Sequence, residues 1–179
     1  MSAANHTAYD RPSAEGSLLS FPDRGHWGNA GYRGNCSGYV YQRLFQWLMP
    51  RVFTDPMVGS GTSVEVAREM GIEAYGLDLH SGFNILKDSI LDVVGKRSDL
   101  VLSHPPYHNI IVYSGNVWGC EPHPDDLSRC ESEEDFLGKL ALALLNQRVA
   151  RTYWSGSKTA GLGQSIFNAG SSVRHMRKQ

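Results

Sequence analysis

Apolar positions change period several times along the chain, and each change marks an element. Residues 1–20 are polar, with Gly, Ser and Pro and few aliphatics, the composition of a flexible leader. Residues 21–35 carry Gly, Arg, Trp and Tyr without a clear period. From 37 to 49, Val40, Leu44, Phe45 and Leu48 recur at helical spacing, and Ser37 is placed to cap the start. Residues 51–54 then predict a short apolar strand, 62–70 a helix, and 74–78 a second strand. Gly71 is placed to end the 62–70 helix. Residues 88–94 predict a short helix and 100–103 a third strand. A long helix follows over 133–150, where Phe136, Leu137, Leu140, Leu142, Leu144 and Leu145 supply apolar faces. Acidic residues fill its first turn and Arg148 lies late, as the helix dipole favours.

Strand–helix alternation predicts an α/β fold with a mainly parallel sheet and flanking helices. Ligand-binding loops in such folds lie at the carboxyl ends of the strands. Residues 55–61, Asp78 and residues 104–107 are therefore expected at one edge. Beyond 152 the pattern is lost, with scattered Gly and Ser and no aliphatic residue between Ile166 and Val173. The expected organisation is a leader over 1–20, one α/β domain over 21–150 and a disordered basic tail over 151–179. On this reading the sheet is incomplete at its C-terminal side.

Composition changes the picture only locally. A formal net charge of −1 carries no overall basic signal. The distribution is uneven: residues 136–179 hold seven Lys or Arg and no acid, whereas 121–135 hold seven acids and one Arg. A positive end can contact phosphates, or it can be a solvated terminus. No apolar run is long enough for a membrane helix, and the first residues lack the regions of a signal peptide. Three cysteines without a Cys-x-x-Cys pair fit a reducing cytoplasm. Cys120, His123 and Cys130, with His108 upstream, match no standard zinc spacing, so no metal is expected.

Two loops carry candidate chemistry. In the first, Gly59, Ser60 and Gly61 lie between a strand and a helix. Glycine permits positive φ and removes the Cβ that would hold a ligand off the backbone. The helix N-terminus behind the loop favours an anionic group. Asp55 ends the first strand, and Asp78 ends the second, seventeen residues after Gly61. An acid at that second place accepts hydrogen bonds from ribose hydroxyls in nucleotide-binding α/β folds. The second loop, His104-Pro105-Pro106-Tyr107, follows the third strand. Its prolines fix φ, so it is at the least a rigid turn.

Together, Asp55-Pro56-Met57-Val58-Gly59-Ser60-Gly61-Thr62 and His104-Pro105-Pro106-Tyr107 resemble the two signature motifs of the S-adenosylmethionine-dependent DNA amino-methyltransferases. Those motifs run Asp-Pro-Phe-x-Gly-Ser-Gly-Thr and Asp-Pro-Pro-Tyr. The resemblance covers residues 30–150 and implies a class I, Rossmann-like methyltransferase domain of the kind found in restriction–modification systems. It implies S-adenosylmethionine as cofactor, with Asp55 on the methionine ammonium, Gly59, Ser60 and Gly61 forming the cofactor loop, and Asp78 on the ribose. Residues 33–37 would lend an edge to the methionine end. Residues 83–88 match the family's third cofactor segment, with Asp88 either reaching the adenine amino group or capping the next helix.

For chemistry, the resemblance implies that His104 binds the amino hydrogens of an adenine or cytosine, that Pro105 and Pro106 hold the loop, and that Tyr107 stacks on the base. The base would be rotated out of duplex DNA to reach them. His104 departs from the family's first residue, an aspartate. Neutral imidazole offers one acceptor nitrogen in place of a carboxylate's two oxygens. Ser103 is one place out of register to substitute for it. The aromatic segment 108–118 is a candidate pocket wall or DNA contact. An RNA amino-methyltransferase and an inactive truncated remnant remain as alternatives.

Overall fold

The computed structural model describes residues 19–32, 34–110, 112 and 123–152. The leader up to 18, the tail from 153 and most of the 108–118 segment lie outside the described residues. The elements run α1 (Gly38–Leu48), β1 (Val52–Asp55), α2 (Thr62–Glu69), β2 (Glu73–Gly76), α3 (Ile90–Val94), β3 (Leu100–Val101) and α4 (Glu133–Ala150), joined in places by single 3-10 turns. Every predicted strand and helix is present, with ends moved by at most two residues.

The three strands are parallel in the order β2-β1-β3. Phe53 pairs with Ala74 on one side and Leu100 on the other. β1 is central, and Phe53, Thr54 and Asp55 are buried. Such a strand must satisfy its polar side chains internally. The Thr54 hydroxyl does so with the Ser98 hydroxyl at 2.8 Å.

Side-chain alternation splits the core in two. Phe53, Ala74 and Leu100 pack with Trp27, Tyr41, Phe45 and Val66 under α1 and α2. Tyr75, Leu77 and Val101 pack with Ile90, Val94, Ala143 and Ala150 under α3 and α4. Helices therefore cover both faces of the sheet, an α/β arrangement. The chain leaves β1 toward β2 and later returns across it to β3, so strand order reverses beside β1.

Local caps differ from expectation in two places. Ser37 occupies the N-cap of α1, but its hydroxyl donates to the Asp23 carbonyl at 3.1 Å and not into the helix. α3 is capped by Ser89, whose hydroxyl accepts from the Asp92 N–H, so Asp88 is not the cap. Gly71 (φ +74°) ends α2 as predicted: its N–H donates to Arg68 and the Ile72 N–H to Ala67, satisfying the last carbonyls.

Residues 21–32 and 34–35, patternless in sequence, form a strap across α2. The Trp27 indole donates to Glu69 at 2.6 Å, the Gly28 N–H donates to Glu65 at 2.7 Å, and the Thr62 hydroxyl donates to Asn35 at 2.6 Å. On the other face Asn146 ties α4 to the segment after β2. Its amide donates to the carbonyls of Ile85 and Asp88 and its oxygen accepts from the Ile90 N–H. Residues 151 and 152, assigned to the tail from sequence, engage the sheet: Arg151 pairs in parallel with Ser98, and Thr152 donates to its carbonyl at 2.8 Å.

Candidate functional site

Where strand order reverses, an open α/β sheet leaves a crevice outside the carboxyl ends of its strands. A cavity of about 900 Å³, its open mouth included, lies there. Pro56, Met57, Val58, Gly59 and Ser60 make one wall, Asp78 and His80 another, and His104 with Pro106 the side beyond β3.

The loop after β1 is held by its neighbours across the sheet edge. The Val58 N–H donates to the Leu77 carbonyl at 3.0 Å, and the Gly61 N–H to the Val58 carbonyl at 2.9 Å. Gly59 has φ +51°, and its N–H donates to Asp78 Oδ2 at 2.9 Å. A Cβ at Gly59 would stand 3.1 Å from the Tyr32 ring, so both backbone and space call for glycine. Asp78 Oδ1 accepts from the His80 N–H at 3.0 Å. Asp78 thus braces both sides of the cavity, and each carboxylate oxygen keeps a lone pair for a further donor.

Five of the residues expected at the cofactor or the base stand elsewhere. Asp55 is 2% exposed and lies behind the wall. Its Oδ1 accepts from the Met57 N–H at 3.0 Å and its Oδ2 from the Ser63 hydroxyl at 2.5 Å. Burial pushes its pKa up to about 6, and the Ser63 and Met57 bonds only partly offset this. Asp55 therefore ties the loop to the start of α2, and the ammonium role expected for it is not supported by its placement. Gly61 (φ +89°) turns the chain into α2 and is off the lining. Asp88 is also off the lining: its Oδ2 accepts from the Asn84 N–H at 2.7 Å and closes that turn. Pro105 and Tyr107 are off the lining, and Tyr107 is 55% exposed.

Ser60, Gly59, Asp78, His104 and Pro106 do meet at the cavity, as do Asn35 and Cys36 from the segment before α1. Phe83 and Ile85 give it an apolar patch. His104 Nε2 is 2.8 Å from the Tyr107 hydroxyl, with the rings edge to face. Partial burial lowers the His104 pKa below its ordinary value, so the neutral form is favoured. Ser103 turns away and exchanges hydrogen bonds with Gln147 of α4 at 3.0 and 3.2 Å.

The sequence reading missed the far rim. Asp125, Asp126 and Leu127 line the cavity from the loop before α4. Asp125 accepts from the Asn84 amide at 2.7 Å and pairs with Lys87 at 2.5 Å. The Lys87 bond holds the Asp125 carboxyl below its usual range. The signal for this rim was a run of acids, which pattern alone reads as a solvated loop. Among the described residues no group of His, Cys, Asp and Glu side chains is gathered as for a metal ion, and no helix is long and apolar enough to cross a membrane.

No protein-family model, no curated protein and no solved structure matches this chain.

Proposed function

We propose that this chain is a class I, Rossmann-like domain that binds S-adenosylmethionine and methylates an exocyclic amino group of adenine or cytosine in DNA. One observation carries the reading: the glycine loop, Asp78, His104 and Pro106 line a single cavity at the switch point of a parallel sheet. It is open to solvent and lined by both apolar and polar groups, as small-molecule sites are. Asp78 has spare acceptor capacity for hydroxyl donors, and Phe83 and Ile85 offer apolar surface to a flat ring. The Gly59–Ser60 backbone and Asn35 would face the remaining polar end.

When bound, the cofactor supplies an electrophilic methyl group on a sulfonium. The chain's own contribution lies in the acceptor loop. An exocyclic amine delocalises its lone pair into the base, and an acceptor on its hydrogens restores nucleophilic character. With the proton on Nε2, His104 donates to the Tyr107 oxygen and keeps Nδ1 as its acceptor. Tyr107 is then a positioning residue for His104 and not a stacking surface. Partial burial of the ring favours the neutral form that acceptance requires. Pro105 and Pro106 fix the backbone between the two.

The direct test is transfer of a labelled methyl group from S-adenosylmethionine to duplex DNA, with RNA as a parallel substrate. N6-methyladenine or N4-methylcytosine should appear in the digested DNA. Label in RNA alone, or in neither, contradicts it.

A further inference from the structure

α4 is apolar around most of its circumference, yet the sheet uses one side of it. Ala143, Gln147 and Ala150 are buried against the core, whereas Leu137, Leu142, Leu144, Leu145 and Val149 are 48–56% exposed. A helix that is hydrophobic all round is normally covered all round. The outward residues are ordered. Leu137, Gly138, Ala141, Leu144 and Leu145 fall within an arc of about 120° at 3.6 residues per turn. Glu134 and Arg148, both exposed, close the two ends of the same stripe.

The stripe is complementary to itself. Turned antiparallel about Ala141, Leu137 faces Leu145 of a second copy and Gly138 faces Leu144. Glu134 faces Arg148, and symmetry makes each pairing occur twice. A Cβ at Gly138 would meet nothing within 4 Å, so the middle of the stripe is open. With Ala141 beside it, two helices can approach closely there. Charge follows the same symmetry: the first turn carries Glu133, Glu134 and Asp135, and the last carries Arg148. An antiparallel mate sets acid against base at both ends, whereas a parallel mate sets like against like.

We propose that the outward face of α4 is a homodimer interface, formed by antiparallel packing of α4 on its copy about a two-fold axis at Ala141. Isologous contacts of this kind are the commonest route to soluble homo-oligomers. A single helix pair about 27 Å long is a small interface. The dimer is therefore concentration-dependent and not obligate.

Sedimentation equilibrium of the full chain tests this. The wild type should show a monomer–dimer equilibrium, and Leu145→Glu should raise the dimer Kd tenfold or more without lowering the thermal midpoint of the monomer, measured at concentrations where the wild type is dissociated. Glu134→Arg and Arg148→Glu should each weaken the dimer, and the double exchange should restore it. Ala141→Cys should cross-link to itself under mild oxidation, with the bond mapped to position 141. A wild type that stays monomeric at high concentration overturns the proposal. So does a dimer that Leu145→Glu leaves intact, or a monomer whose thermal midpoint falls in Leu145→Glu, which would mean that the chain covers the face itself.

Discussion

His104 is the residue on which the proposed chemistry turns. It must be neutral to accept an amino hydrogen, and partial burial already lowers its pKa. Initial rates should therefore rise with pH through a midpoint below the ordinary value of roughly 6.5 and stay flat above it. His104→Asp restores a two-oxygen acceptor and should keep or gain activity. His104→Ala should lose about 10²-fold, the scale for removing a positioned acid–base group. Equal rates for wild type and His104→Ala at every pH would leave the loop as a rigid turn only. Asp55 gives a prediction of opposite character. Its folded-state pKa of about 6 exceeds the ordinary 3.8 because it is buried. Between these values the folded chain holds a proton that the unfolded chain releases, so stability falls as pH rises through that window. The loss is on the order of 3 kcal/mol. Asp55→Asn has no charge to bury. The thermal midpoint of the wild type should fall relative to the variant between pH 4 and 7, and parallel curves would refute this. Spacing in the sequence put Asp55, Asp78 and Asp88 near one edge. It carried no information on where each carboxylate points, because that depends on Ser63, His80 and Asn84 finding them first.

At the scale of elements, the strands and helices were legible because each buries a regular face. The strap before α1 was not, because side-chain bonds to α2 hold it across some forty residues of sequence. One substitution separates propensity from packing. Gly38 lies in the first turn of α1, and a Cβ there would stand 2.1 Å from Trp27 Cε3. Alanine in a helix interior is favoured over glycine by up to about 1 kcal/mol. Overpacking a rigid indole costs about 1–3 kcal/mol. The clash should win, and Gly38→Ala should lower the thermal midpoint. A rise would show that Trp27 does not pack there. The acidic run before α4 was equally opaque. Its Asp125 becomes part of the cavity rim only because Asn84 and Lys87 meet it from the other end of the fold.

For the whole molecule, strand order β2-β1-β3 does most to create the site. It sets the loop after β1 between Asp78 and His104 and leaves a crevice between them. Fold class could be read from the alternation of elements. The shape of the cavity could not, since the strap and the rim loop line it, and Asn146 of α4 holds the turn at Ile85, without periodic signal. The central claim is that this crevice holds S-adenosylmethionine, and isothermal titration calorimetry tests it most directly. The folded wild type should bind S-adenosylmethionine in preference to nicotinamide dinucleotides. Asp78→Ala should weaken that binding by roughly 1–3 kcal/mol, the scale for unpaired polar partners. No heat of binding with folded wild type, or wild-type affinity in Asp78→Ala, would contradict the account.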